Sequence, residues 1–331
     1  MIMKLNPEMQ LLDVLSPDLK KAATRNAFGA AVADIGGKDM NAIAMSSDVA
    51  GSVQLSKFAE KYPDRFFNVG VAEQNLAAVA AGLAYSGKTV FIGAFGIFSP
   101  GRNWEQVRTT ICYGKANVKM EGSHTGLNVG EDGATHQALE DVALTRCLPN
   151  MTVISPCDYN ETYKAVMAVW KKDGPAYIRC TRANVPTFTS EQTPFEIGKA
   201  NLLNEGSDIA IVAAGTCVYE SLRAADALEK EGISVAVANM HTLSQSDDAL
   251  LEKLARQCGA LITVEEHQIK GGLGSAVCES LSENYPARVR RMGMNMKFGE
   301  SGTGTEVLKK YGLEREGIAK AVREEMALKK K

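Results

Sequence analysis

The chain has 331 residues, 45% of them hydrophobic and 23% charged, with a formal net charge of -2. That length suits two globular domains, each with its own core, and the near-neutral charge gives no support for nucleic-acid or anionic-membrane binding. Seven scattered cysteines without a C-x-x-C pair point to reduced thiols in a cytoplasm and away from structural zinc; no secretory leader and no bilayer-spanning apolar run is evident.

In chain order, "SPDLKKAATRNAFGAAVADIGG" predicts a helix with Ser16 as its cap, Pro17 at its first position and Gly36-Gly37 at its end. "NAIAMSS" reads as a buried strand, "SVQLSKFAEKY" as a helix and "RFFNVG" as a strand. Next comes "QNLAAVAAGLAYSG", a helix led by Glu73 with almost no polar face, expected to be buried nearly all round. Strand "TVFIGAF", helical "NWEQVRTTICY", strand "NVKMEG", helix "HQALEDVALTRCL", strand "MTVISP", helix "YNETYKAVMAVWKK" and strand "AYIRC" complete the first half. This alternation predicts a parallel sheet with helices on both faces.

"TRANVPTFTSEQTPFEIG", with Pro186 and Pro194 and no periodicity, reads as a linker, which divides the chain into 1–186, a linker 187–197 and 198–331. The pattern restarts with strand "DIAIVAAG", helix "VYESLRAADALEKEG", strand "SVAVANM", helix "DDALLEKLARQCG", strand "ALITVEEH", a glycine-rich turn into a helix, and a last strand "RVRRMGM". The second half is thus expected to be a smaller α/β domain.

A charge at a buried helix start needs a partner, a dipole or a chemical role, and most first-turn acids such as Glu73 serve only the dipole. "EDGATHQ", residues 131 to 137, gathers two acids and His136 at a strand-to-helix turn, where Thr135 capping the next helix is the plain reading. His124 and His136 have no metal-motif spacing, and Phe95 and Phe98 at i, i+3 read first as core. "GGLGS", residues 271 to 275, lacks the dinucleotide-binding pattern and reads as a tight start to a helix. Arg179 and Arg182 end the last strand of the first half. Glu73, His124, Asp132 and Arg182 all follow predicted strands, and ligands of open α/β sheets gather at the carboxyl ends of strands, so these residues are placed to converge.

"VGVAEQN", "AFGIF", "GEDGATHQALEDVALTRCLPNMTVISPCD" and "CTRAN" together resemble the pyrimidine-binding domain of transketolases, and "EEHQIKGGLGSAV" resembles the start of their C-terminal domain. The similarity runs from about Lys21 to Lys320. The G-D-G and downstream asparagine with which full-length relatives bind the diphosphate of thiamine diphosphate and its Mg²⁺ are not found, so the chain looks like the C-terminal subunit of a split, two-gene transketolase. The resemblance implies a transferase acting on sugar phosphates. It also implies thiamine diphosphate held here by its pyrimidine end, Mg²⁺ and diphosphate held by an N-terminal partner subunit, and a homodimer of this chain within a heterotetramer.

In that family a buried glutamate hydrogen-bonds the aminopyrimidine and promotes loss of the thiazolium C2 proton; Glu73 matches it. Phe95 and Phe98 match the aromatic pocket for that ring, and Asp48 a position at the cofactor or substrate edge. Arg25, Ser52, His136 and Arg182 match phosphate-holding positions, while His124 and Asp132 match positions that orient sugar hydroxyls, His124 close to the reacting carbon. No metal ligand is carried over. Ala134 stands where many relatives have proline, and "FSPGRNWEQ" lacks a tyrosine that many single-chain transketolases place beside the ring. Alternatives are a deoxyxylulose-phosphate-synthase-like subunit, a 2-oxoacid dehydrogenase β-like subunit, or a non-catalytic regulatory subunit keeping the fold. A sugar-phosphate arginine at 182 favours transketolase over the dehydrogenase.

Overall fold

The computed structural model describes residues 3–329. The chain begins with β1 (Lys4–Leu5), β2 (Lys21–Ala22), α1 (Thr24–Lys38), β3 (Ala42–Ser46), α2 (Ser56–Lys61), β4 (Phe66–Asn68), α3 (Glu73–Tyr85) and β5 (Thr89–Phe95). A short turn α4 (Trp104–Gln106) runs into a π-helical segment, Val107–Tyr113. Then come β6 (Val118–Ser123), α5 (Asp141–Arg146), β7 (Thr152–Ile154), α6 (Tyr159–Trp170), β8 (Ala176–Arg179) and β9 (Val185–Pro186). The remainder is β10 (Asn201–Glu205), β11 (Ile209–Ala213), α7 (Cys217–Lys230), β12 (Val235–Asn239), α8 (Asp248–Cys258), β13 (Ala260–Gln268), α9 (Leu273–Asn284), β14 (Arg288–Met294), α10 (Gly304–Lys310) and α11 (Arg315–Lys329).

The first sheet has the order β4-β3-β5-β6-β8-β7 and is parallel throughout. Its central strands are buried along their length, which is why they read as unbroken apolar runs and not as alternating ones. The second sheet has the order β1-β10-β12-β11-β13-β14, with a parallel centre and β1 and β10 antiparallel at one edge. The two halves share one core: Val153 and Tyr177 of the first pack in the same cluster as Ala214, Met240 and Leu243 of the second. Among the described residues, no helix is long and apolar enough to cross a membrane.

Several elements differ from the sequence expectation. The helix expected from Ser16 begins at Thr24, because Lys21 and Ala22 are drawn off to pair antiparallel with Pro186 and Val185; the Ser16 hydroxyl instead accepts the Asp18 N–H at 3.2 Å. Gly36 lies inside this helix, where a Cβ would sit 2.4 Å from the Tyr62 ring, so it serves close packing and not termination. α3 buries Glu73, Leu76, Ala77, Ala80 and Ala81, but Gln74, Asn75, Ala78, Val79 and Gly82 face outward, so this helix is covered on one side only.

The helix expected from His136 starts at Asp141. Before it, residues Leu127–Thr135 form a 3-10 loop broken at Gly130 (φ 80) and Gly133 (φ 70), and Thr135 bonds its neighbour His136 Nδ1 at 2.9 Å and caps no helix among the described residues. The segment 187–197 is firmly held: the Asp158 carboxylate accepts the N–H groups of Phe188 and Thr189 at 2.9 and 2.7 Å, and Phe188 is fully buried. β1 joins the second sheet although it opens the chain. β10, α10 and α11 are additions to the sequence reading, and the Thr303–Glu306 capping box that starts α10 was a legible signal. The glycine-rich turn opens α9 as expected, with the Glu265 carboxylate accepting the N–H groups of Leu273 and Gly274 at 2.7 and 2.8 Å.

Candidate functional site

The carboxyl ends of the first sheet bring most of the singled-out residues together. Phe95 ends β5, His124 directly follows β6 in the left-handed region (φ 56), Glu73 opens α3, and Arg25 lies in the first turn of α1. Glu73 is only 3% exposed, and its Oε2 accepts a hydrogen bond from Arg102 Nη1 at 2.7 Å. Its main-chain oxygen accepts from Asn103 Nδ2 at 3.1 Å, which pins the start of the helix, while Oε1 has no partner among the described residues. The buried acid therefore does have a partner in this chain, a half-exposed arginine that sequence reasoning passed over. Its signal was a charge one residue after a glycine, close behind the aromatic run "AFGIF".

Phe95 and Phe98 are half-buried and do not belong to the deep core. Their ring centroids lie 6.3 Å apart, and the His124 ring stacks on Phe95 at 4.0 Å. His136 meets both phenylalanines edge-on, at 6.2 and 5.6 Å, and the Arg102 guanidinium lies 4.5 Å from the Phe98 centroid. These rings cluster on one another, and Arg102 links the Phe98 ring to the Glu73 carboxylate.

Burial, reinforced by the charges of Arg25 and Arg182 and by His136, presses the His124 pKa down to about 3, so this imidazole is neutral near pH 7. Arg25 Nη1 lies 3.2 Å from His124 Nε2, and Ser123 Oγ lies 3.0 Å from Nδ1. Arginine only donates, so Nε2 is the acceptor and the proton of the neutral ring sits on Nδ1. The same Nη1 donates to the Ser52 carbonyl at 2.9 Å, whereas the Ser52 hydroxyl has no partner among the described residues.

Arg25 and Arg182 line one cleft of ≈ 330 Å³ with Gly130, Glu131 and Asn184. Arg182 Nη1 donates to the Val129 carbonyl at 2.6 Å and to Glu131 at 2.8 Å. Asp48 stands apart at the ends of β3 and β4, exposed, in the left-handed region (φ 64), with its carboxylate accepting from Asn68 Nδ2 at 2.8 Å. Asp132 is exposed on the kinked loop, and its carboxylate has no partner among the described residues. Arg179 lies away from the cleft: it pairs with Asp141 at 2.9 Å and donates to the carbonyls of Ala138 and Glu266.

The kinked loop is hung from the second sheet. Glu266 Oε2 accepts the N–H groups of Leu127 and Asn128 at 2.9 and 3.0 Å, and Oε1 accepts from Asn128 Nδ2 at 2.7 Å and from the Thr216 hydroxyl. Sequence reasoning missed Ser123 and Glu266 as well as Arg102, because each matters through a partner distant or unmarked in sequence, and it marked Glu131 only as one of the two acids of "EDGATHQ" without its partner Arg182.

Comparison with known proteins places this geometry. Residues 20–187 match the transketolase pyrimidine-binding domain and residues 198–318 the transketolase C-terminal domain. The chain is 42% identical to the transketolase C-terminal section of Methanocaldococcus jannaschii, over 91% of this chain and 96% of that protein. It is 38% identical to an apulose-4-phosphate transketolase subunit of Phocaeicola vulgatus, over 91% and 97% of the two chains. A solved split-gene transketolase, an inactive β4 tetramer, superposes with a TM-score of 0.85 at 42% identity, over 93% of this chain and 99% of that one. With its parallel pyrimidine-binding sheet, its second sheet and relatives matched almost end to end, the chain belongs to the transketolase family of transferases, among the C-terminal subunits of split transketolases.

Proposed function

We propose that this chain, together with a separate subunit that binds the diphosphate and Mg²⁺ of thiamine diphosphate, transfers a two-carbon ketol unit from a ketose phosphate to an aldose phosphate. The observation that carries the reading is the Glu73 carboxylate, buried, with Oε1 unclaimed among the described residues and Oε2 tied through Arg102 to the Phe95–Phe98 ring pair. Those residues fit a flat nitrogen heterocycle: aromatic walls to stack on and one acceptor placed in low dielectric. When bound, thiamine diphosphate supplies the nucleophilic carbon and the electron sink for ketol transfer.

Glu73 would hold a proton at the bound ring's nitrogen, and Phe95 and Phe98 would keep that ring flat. Arg25 and Arg182, with His136 and Ser52, hold the sugar phosphate, a task that suits guanidinium forks. His124 Nε2 and the Asp132 carboxylate orient sugar hydroxyls, and Asp48 borders the cofactor or substrate edge. A second copy of this chain covers the open face of α3, giving a homodimer inside a heterotetramer. The seven free thiols suit a reducing cytoplasm.

The test joins two measurements. Ketol transfer is assayed with the chain and its partner subunit together, and thiamine diphosphate with Mg²⁺ is titrated calorimetrically into the isolated chain. The expected results are turnover only with the partner, its loss in Glu73→Gln with the fold kept, and weak cofactor binding by the isolated chain. Tight binding and turnover without a second polypeptide would overturn the split assignment.

A further inference from the structure

Behind the His124–Arg25 pair, β6 carries a carboxyl group that none of the roles above explains. Glu121 is 1% exposed, and neither of its carboxyl oxygens has a hydrogen-bond partner among the described residues. It lies in register with Gly93 of β5, where a Cβ would come within 2.8 Å of the Val53 side chain and 3.1 Å of Glu121 Oε2, so the glycine makes room for both. A buried, unpaired acid costs stability at a strand position that valine or isoleucine would fill without penalty.

Its neighbours give the reason. Glu121 and Ser123 are two residues apart on one strand and share a face. Ser123 Oγ contacts His124 Nδ1, and His124 Nε2 contacts Arg25 Nη1. Arg25 Nε is itself buried and without a partner among the described residues, and Glu121 is the acid that favours the arginine's charge. Burial raises the Glu121 pKa well above the ordinary carboxylate range, and Ser123 and Arg25 are the groups that work against that rise. Arg25, His124 and Ser123 thus form a run of contacts that Glu121 is placed to close into a ring, although among the described residues it is hydrogen-bonded neither to Ser123 nor to Arg25 Nε.

We propose that Glu121 is a positioning residue that closes this ring, holding His124 in its Nδ1–H tautomer through Ser123 and fixing the plane of the Arg25 guanidinium. The role rests on the sugar-phosphate reading of Arg25 and His124. Both remaining donors of the ring, the Ser123 hydroxyl and Arg25 Nε–H, need acceptors, and a carboxyl group has an oxygen to turn toward each. Glutamine offers one acceptor oxygen and valine none, so the two substitutions give a graded response.

The experiment uses the enzyme assembled with its partner. Kinetics with a phosphorylated donor are measured for wild type, E121Q and E121V, together with Tm and the histidine ¹⁵N spectrum. E121V is expected to keep or raise Tm while losing about tenfold or more in kcat/KM, with E121Q losing about threefold. The His124 resonances should move away from the Nδ1–H pattern in E121V and stay near it in E121Q. Wild-type kcat/KM and an unchanged tautomer in E121V would overturn the proposal and leave Glu121 a tolerated buried acid. If E121V does not fold, E121Q decides alone: wild-type kinetics and tautomer count against the role, a partial loss supports it. If Arg182→Ala leaves the preference for phosphorylated sugars intact, the sugar-phosphate reading has failed, and the tautomer, read without substrate, still decides what Glu121 does.

Discussion

Arg102 sets its guanidinium 2.7 Å from the Glu73 carboxylate while lying over the Phe98 ring, so one side chain ties the buried acid to the aromatic wall. Removing it leaves a buried carboxylate without its cation. Arg102→Met is expected to destabilise the fold by about 1–2 kcal/mol, a value held down by the arginine's exposure to solvent. Glu73→Gln in that background should recover part of the loss. A double-mutant cycle by urea unfolding measures the coupling, and additive effects would mean that the pair carries no net interaction.

Arg182 is shared between the cleft and Glu131. Arg182→Ala should lower kcat/KM for phosphorylated sugars by roughly tenfold to a hundredfold and spare unphosphorylated analogues, as expected for losing one charge-assisted hydrogen bond. Glu131→Gln removes the competing anion and should lower KM for phosphorylated sugars at low salt. Equal effects on both substrate types would show that Arg182 does not read phosphate.

The depressed pKa of His124 gives a pH signature. Its folded value lies near 3 against an ordinary 6.5, so below pH 6.5 the unfolded chain takes up a proton that the folded chain refuses. The stability tied to this residue is therefore complete above pH 6.5 and is lost progressively as pH falls toward 3. His241, whose pKa burial also lowers, acts in the same direction. Melting curves from pH 7 to 5 should fall less steeply for His124→Asn than for wild type, and parallel curves would contradict the assignment.

The uncovered face of α3 leads to a prediction about assembly. Ala78→Arg or Gly82→Arg places a charge on an outward apolar surface and leaves the buried side of the helix untouched. The expected outcome is a smaller species in sedimentation velocity with an unchanged far-UV spectrum. A variant with the mass of wild type would mean that copies of this chain meet elsewhere.

The sequence made the sheets legible because their strands are covered on both faces: "TVFIGAF" and "AIAMS" could hardly be anything else. The late start of α1 was hidden because β2 is two residues long and exists only through Val185 and Pro186, far along the chain. The late start of α5 was hidden in the positive φ of Gly130 and Gly133, which composition does not reveal. For α3, a run of small apolar residues announces burial but not against what, and half of the helix is open in the single chain. Within the site, residues at the ends of strands could be named from position, as Glu73 and His124 were. Arg102 gains its meaning only from its distance in space to Glu73, and Glu121 from its burial in register with Gly93 and the influence of the Arg25 charge.

Glu266 carries a consequence for how such proteins can be recombined. By accepting the N–H groups of Leu127 and Asn128, it suspends from the second sheet the very loop that presents Glu131 and Asp132 beside the first. The C-terminal half is therefore no exchangeable module. A chimaera that grafts it from a relative keeps the loop in place only if the graft brings an acid at 266 and a hydroxyl at 216, matched to Asn128 on the host. Without that match, substrate preference would drift although no residue facing the cleft had been altered.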